Sequence, residues 1–341
     1  MAVREASVPV APPAFSRLPR FALSQELVLF FALIALFVIV GIINPRFVDW
    51  NQLSSGQWAD LRNLKSIFLG NAYIAVAAIG MSMVIISGNI DISVGSLIGV
   101  LATISGTLAV HGVPIVLCWI IPVIVSIAFT TTMGAMVAYL RIPSIVVSLG
   151  FLSILKGGLI IVTGGAWINT LPEGFHLSQM RPLGVPMPVY FMLVLTIGAA
   201  IWMRLSATGR SFYALGGNAE AARLSGISRE ATTVKVFAFH GFFVGVAAIL
   251  FATQLQIIQS TVPPNLELTI ITASVVGGVS ILGGTGTVIG STLAAILIAA
   301  IGSSLIFINV SPYWLRAVQG VLILLTVLAD LWRRARQARR R

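Results

Sequence analysis

The chain has 341 residues, 57% hydrophobic and only 9% charged, with a net charge of +11. Soluble globular chains carry about 25% charged residues, so this composition excludes a water-soluble body and makes lipid much of the solvent. In such a chain a basic excess reads as loop charge that sets orientation, not as a nucleic-acid surface, and a single cysteine, Cys118, excludes an internal disulfide or a cysteine metal cluster.

Residues 1–26 mix proline, alanine and charge without periodicity and read as a disordered tail. The apolar run at 27–43 is longer than a signal-peptide core and is followed by "NPRF" instead of a cleavage site, which makes it a retained anchor. Further apolar segments lie at about 66–86, 92–110, 113–140, 144–163, 188–203, 233–258, 266–282, 287–308 and 312–330. Period-2 alternation is absent, so a barrel is excluded and the spans are helices, each pairing its own backbone groups in lipid. The fold class is therefore an all-α polytopic bundle of about ten spans over 27–332, with a basic tail at 333–341.

Counting lysine and arginine sets the orientation. Of the 21, fifteen fall on the side of the two termini and the 204–234 segment, Arg141 and Lys235 among them; four (Arg46, Arg62, Lys65, Arg181) fall on the other side, and Lys156 and Arg316 lie in or beside spans. Both termini are then cytoplasmic. The C-terminal arginines anchor that topology and suit anionic membrane lipid. On the opposite side, 44–65 and 164–187 are the two long segments; the second is rich in turn formers and suits a cap over a pathway or a seat for a soluble partner.

Between two spans the cytoplasmic insert reads "FYALGGNAEAARLSGI". Gly216 and Gly217 free the chain to turn, Asn218 is a good N-cap with Glu220 in the first turn, and Gly226 supplies a left-handed stop. Ala221, Ala222, Arg223, Leu224 and Ser225 complete about two helical turns, too short to stand alone. Such a helix suits either a mechanical contact with a cytoplasmic partner or an ordinary charged loop. In the contact reading Ala221, Ala222 and Leu224 supply apolar contacts, and Glu220 and Arg223 pair at the rim.

Within the spans, Asp91 follows a Gly-Asn pair and suits either a helix cap or a substrate contact at a broken helix. Asn71, Lys156, Gln254, Gln256 and Gln259 are the other polar groups, and amides suit sugar hydroxyls as well as helix–helix bonds. Asn71, Asp91 and Gln256 are placed near a central cavity, because polar groups at lipid depth face inward. Gly286 and Gly290 have G-x-x-x-G spacing for helix packing. No P-loop and no H-E-x-x-H motif occurs, and His111, His176 and His240 are far apart. Neither a metal nor a cofactor is implied, and His240 reads as a packing residue.

"GRSFYALGGNAEAARLSGI" resembles the cytoplasmic signature of carbohydrate-type ATP-binding-cassette importer permeases, the ribose, xylose, rhamnose and autoinducer-2 branch. "SGNIDISVGS" at 87–96, "RIPSIVVSLG" at 141–150 and "VVGGVSILGGTGTVIG" at 275–290 resemble the family's other blocks in order, with Asn89 where glycine is usual. The resemblance covers about 66–330 and implies a permease of the bacterial inner membrane. Its implied partners are a cytoplasmic ATPase docked on 216–226, a second permease, the same or a paralogue, and a periplasmic solute-binding protein. The alternative is an ion-coupled secondary transporter, which needs buried ionisable groups; Asp91 and Lys156 are its candidates, neither with an evident partner in the sequence. An enzyme has no catalytic constellation to support it.

Overall fold

A computed structural model describes residues 25–48 and 62–338. The expected tail before residue 25 and the last three arginines lie outside the described residues. The helices are α1 (Gln25–Ile43), α2 (Arg62–Ile86), α3 (Val94–Val110), α4 (Ile115–Tyr139), α5 (Ser144–Thr163) and α6 (Met187–Leu205). Then come α7 (Ala207–Gly217), α8 (Ala219–Leu224), α9 (Arg229–Gln254), α10 (Leu266–Val276), α11 (Val288–Phe307) and α12 (Trp314–Ala338). Two short strands, β1 (Trp167–Ile168) and β2 (Ile258–Gln259), pair antiparallel at one end of the bundle. The protein is an all-α membrane bundle.

Among the described residues eight helices are long and apolar enough to cross a membrane, and α3 and α10 are shorter. The span expected at 266–282 is corrected: α10 has 11 residues, about 16 Å against a hydrocarbon core of about 30 Å. It ends where Gly277 and Gly278 open a loop with further positive-φ turns at Gly283 and Gly284. The chain reaches α10 as a non-helical run along α3. Ile258 abuts Gly106, Val262 and Pro263 abut Gly99, and Leu266 abuts Gly95. Irregular backbone at this depth is tolerated because it is packed on protein.

Burial divides the helices. The apolar windows of α2 and α9 are 78% and 72% buried, those of α1 and α12 17% and 6%. Hence α2 and α9 form the centre, and α1, α4, α5 and α12 turn much of their surface outward. The centre closes through glycine. Gly241 and Gly245, four apart on α9, lie against the α4 backbone, and a methyl at Gly245 would sit 2.7 Å from Cα of Val123. This is the G-x-x-x-G approach of membrane helices; the sequence reading placed it at Gly286 and Gly290 instead. Gly290 does pack closely, but on the Gly277 carbonyl, and Gly286 lies in the preceding loop.

Hydroxyls tie the helices together where hydrocarbon offers no water. Pro122 inside α4 cannot donate to the Cys118 carbonyl, and Ser105 of α3 takes it over with a hydroxyl bond of 2.8 Å. Ser82 of α2 donates to Ser291 of α11 at 2.6 Å and lies beside Ser274 of α10.

Gly245→Leu should force α9 off α4 and destabilise the detergent-solubilised protein by about 1–3 kcal/mol, as overpacked cores do, read as a lowered unfolding temperature. Ser105→Ala, which strands the Cys118 carbonyl, should cost about 1–2 kcal/mol in the same measurement.

Candidate functional site

The insert folds as two helices with a sharp corner. Ser206 caps α7, its hydroxyl accepting from the Gly209 amide at 2.8 Å. At the corner Asn218 is extended (φ −160°, ψ 101°) and cannot continue α7. Its Oδ1 accepts from the Ala221 amide at 3.0 Å and starts α8. The stop is Gly226 at φ 81°, with the Ile227 amide bonded back to the Ala222 carbonyl, a Schellman arrangement.

The glycine pair has a different job from the one expected of it. Gly216 and Gly217 do not form the turn; they end α7 and let other backbone approach. A side chain at Gly216 would collide with the Ile86 carbonyl at the end of α2 and lie 2.8 Å from the Gly284 amide, while the Gly284 amide itself donates to Ile86 O at 2.8 Å. Gly88 packs against Gly283 in the same place. Three segments far apart in sequence thus meet backbone to backbone beside α8.

On α8, Ala222 is corrected from a docking contact to a buried residue, 4% exposed, whereas Leu224 is 76% exposed. Ala221 and Ser225 are exposed as well. Glu220 and Arg223 pair with each other across one helical turn. The Arg223 guanidinium holds the Glu220 carboxyl below its ordinary range. The folded value is lowered, so the pair is intact at neutral pH and is lost only as pH falls through that lowered value.

Beyond Gly88 the chain enters the connection to α3. Asp91 is fully buried. Its Oδ1 accepts from the amide and hydroxyl of Ser93 at 2.7 and 2.6 Å, which shapes the start of α3. Its Oδ2 lies 3.0 Å from Nε2 of His240 on α9. An ionised carboxylate can only accept, so Nε2 of His240 is the donor in this pair when Asp91 is ionised. Among the described residues the Nδ1 of His240 has no hydrogen-bond partner, and it faces Gly80 of α2. Asp91 therefore has the partner the sequence did not reveal, and His240 is more than packing. The two are 149 residues apart, and no local pattern links them.

Asn71, Asp91 and Gln256 are not brought together. Asn71 bonds to Ile67 O of its own helix at 2.9 Å, 15 residues before Ile86, so it stands about 22 Å along α2 from the Asp91 turn. Gln256 is exposed beyond the end of α9. None of the three borders the cavity of about 700 Å³ between α3 and α5, whose polar lining is Thr103, Thr107, Thr163 and Ser260.

The corner helix α8 sits between α7 and α9 at one end of a polytopic membrane bundle. The family described as branched-chain amino acid transport system / permease component matches residues 63–327, and the chain belongs to it, among the importer permeases its motifs resemble. Relatives are named autoinducer 2 import system permease protein LsrC. The one from Salmonella typhi is 33% identical over 308 residues, 90% of this chain and 86% of the relative. The one from Yersinia enterocolitica is 32% identical over 305 residues, 88% and 80%, and that from Photorhabdus luminescens 30% over 313 residues, 90% of each. No solved structure matches the chain.

His240→Ala leaves a buried carboxylate without its donor and should cost about 2–3 kcal/mol. Asp91→Asn should cost far less, because its oxygen still accepts from Ser93 and its amide donates to the other His240 tautomer. Thermal unfolding of the three proteins, wild type included, checks the order; equal losses for the two variants would contradict it.

Proposed function

We propose that this chain is the membrane-spanning subunit of an importer that carries a small polyhydroxylated, sugar-like solute inward across the bacterial inner membrane, energised by a separate ATPase. The relatives' names speak for a solute of autoinducer-2 type. The family description names branched-chain amino acids, so membership alone does not select the solute. The partners in this reading are two ATPase subunits, a second permease, a periplasmic binding protein that delivers the solute, and anionic lipid around the C-terminal arginines.

The observation that carries the reading is the seating of α8. A helix too short for independent stability is capped at both ends, offers Leu224 outward, and adjoins the backbone junction of Ile86, Gly216 and Gly284. A push on α8 is passed through that junction to the α2–α3 connection, and through α9, which starts at Arg229, to His240 and Asp91. ATP-driven closure of the ATPases thereby biases the bundle between two access states.

The Asp91–His240 pair favours the ion-coupled alternative to the extent that buried ionisable pairs carry protons. Uptake in proteoliposomes decides: dependence on ATP and the ATPase supports the importer, and dependence on a proton or sodium gradient alone overturns it.

Leu224→Asp should weaken ATPase binding by about 30-fold, as loss of an apolar anchor worth about 2 kcal/mol does, while the permease alone unfolds at its native temperature. Ala222→Trp, by contrast, should lower that temperature, because Ala222 is buried in the permease itself. Native ATPase affinity and native uptake with Asp at 224 would make α8 an ordinary loop.

A further inference from the structure

Two guanidinium groups meet at the corner where α6 ends. Arg204 lies in the last turn of α6 and Arg210 in the first turn of α7, and neither has an ion pair among the described residues. The Arg210 guanidinium donates to the Leu205 carbonyl at 2.8 Å, which folds it back over the end of α6. Both arginines are exposed. Because α6 is long and apolar enough to span, its last turn marks the level where hydrocarbon gives way to the polar boundary. An arginine at that level lays its stem on apolar surface and keeps its charge in the interface.

The two arginines border a cavity of about 680 Å³ between α1, α6, α7 and the start of α11. That volume lies within the roughly 300–1,000 Å³ of small-ligand sites. Its lining divides by character. Arg204 and Arg210 make a charged side, and Ile201 of α6 and Ile289 of α11 make an apolar one. The Tyr213 hydroxyl donates to the Gly286 carbonyl at 3.0 Å and ties α7 to the loop before α11. One acid, Glu26 of α1, is in the lining, and it accepts from the Thr287 hydroxyl at 2.7 Å. Two guanidiniums against one carboxylate leave the lining one charge positive. From Ile201 the apolar surface continues along α6 through Ile197 and Val194, on one helix face and 54%, 58% and 67% exposed in that order.

A cavity that is cationic at one end and runs into an exposed apolar stripe at the other matches a ligand with both characters. A soluble anion would leave the apolar half unused, and a neutral acyl chain would leave the guanidiniums without an anion. The first 24 residues of the chain are mismatched in charge, with Arg4, Arg17 and Arg20 against Glu5. We propose that this cavity seats one anionic phospholipid, its phosphate held by Arg204 and Arg210 and one acyl chain laid along Ile201, Ile197 and Val194. Guanidinium matches phosphate in geometry as well as charge, and basic pockets between membrane helices bind anionic headgroups in this way. The site is separate from the C-terminal arginines and does not depend on how transport is energised.

The test uses the full-length protein in mild detergent with phosphatidylglycerol added in rising mole fraction. The lipid should raise the unfolding temperature saturably, and native mass spectrometry should count one retained phosphatidylglycerol per chain. Arg204→Gln should raise the half-saturating fraction by about fivefold, and Arg204→Gln combined with Arg210→Gln by about 25-fold, as loss of one and then two boundary charges does. Arg210→Gln also removes the bond to Leu205, so for any variant already destabilised without lipid the retained-lipid count decides. Arg229→Gln, at the same end but outside the cavity, should change the midpoint by less than about twofold. A shift as large as that of Arg204→Gln would mean diffuse surface charge and overturn the proposal. Equal stabilisation by phosphatidylethanolamine would remove the requirement for net negative charge, and equal stabilisation by soluble glycerol phosphate would remove the acyl chain; either overturns it. A lipid count that falls to zero when the chain is purified with its partner subunits would assign the cavity to a protein instead.

Discussion

The bond from the Gly284 amide to the Ile86 carbonyl, closed over the bare face of Gly216, is the contact on which this end of the bundle depends. It can form only where none of the approaching residues has a side chain in the way. Gly88 and Gly283 meet at the same point for the same reason. The consequence is mechanical. The end of α7, the end of α2 and the loop after α10 are held backbone to backbone, immediately before the Asn218 corner that starts α8. Ordinary side-chain packing at this junction would leave slack that rotamer changes could absorb.

From that junction, two routes lead into the bundle. One follows the chain from Gly88 to Asp91 and the start of α3. The other rises along α9 to His240, which faces Asp91 from the far side. The pair closes a loop between the backbone junction and the broken span. Both partners are fully buried, so each is costly without the other. That mutual dependence is what specifies how α3 starts. The serine bonds at Asp91 Oδ1 do the local shaping, and the histidine fixes where the shaped turn sits.

The outer half is built differently. Here α3 is flanked by α5 and by the non-helical run from β2 to α10, with a cavity between them. The hydroxyls of Thr103 and Thr163 on this face bond within their own helices, to the Gly99 and Leu159 carbonyls. The centre, α2 and α9, is largely buried, whereas α5 turns most of its surface outward.

Much of this was legible in the sequence. In lipid each span must satisfy its own backbone, so hydropathy alone located the spans, and the family blocks identified the permease. Asn218 and Gly226 announced the ends of α8, because caps are local chemistry that a few residues settle. The rest depended on contacts between distant segments. The sequence could not show that Gly216 and Gly217 receive the α2 end instead of forming a turn, or that Ala222 is covered. Nor could it show that Asp91 meets His240, since each is decided by a neighbour far along the chain. Gln256 looked like a span residue because apolar character continues past Gln254, yet the helix stops there and the chain leaves for β2. Local composition determines which segments enter the membrane and the caps that bound a short helix such as α8; only the packed bundle decides where α9 and α10 stop and which polar groups are paired, because pairing at lipid depth is settled between helices.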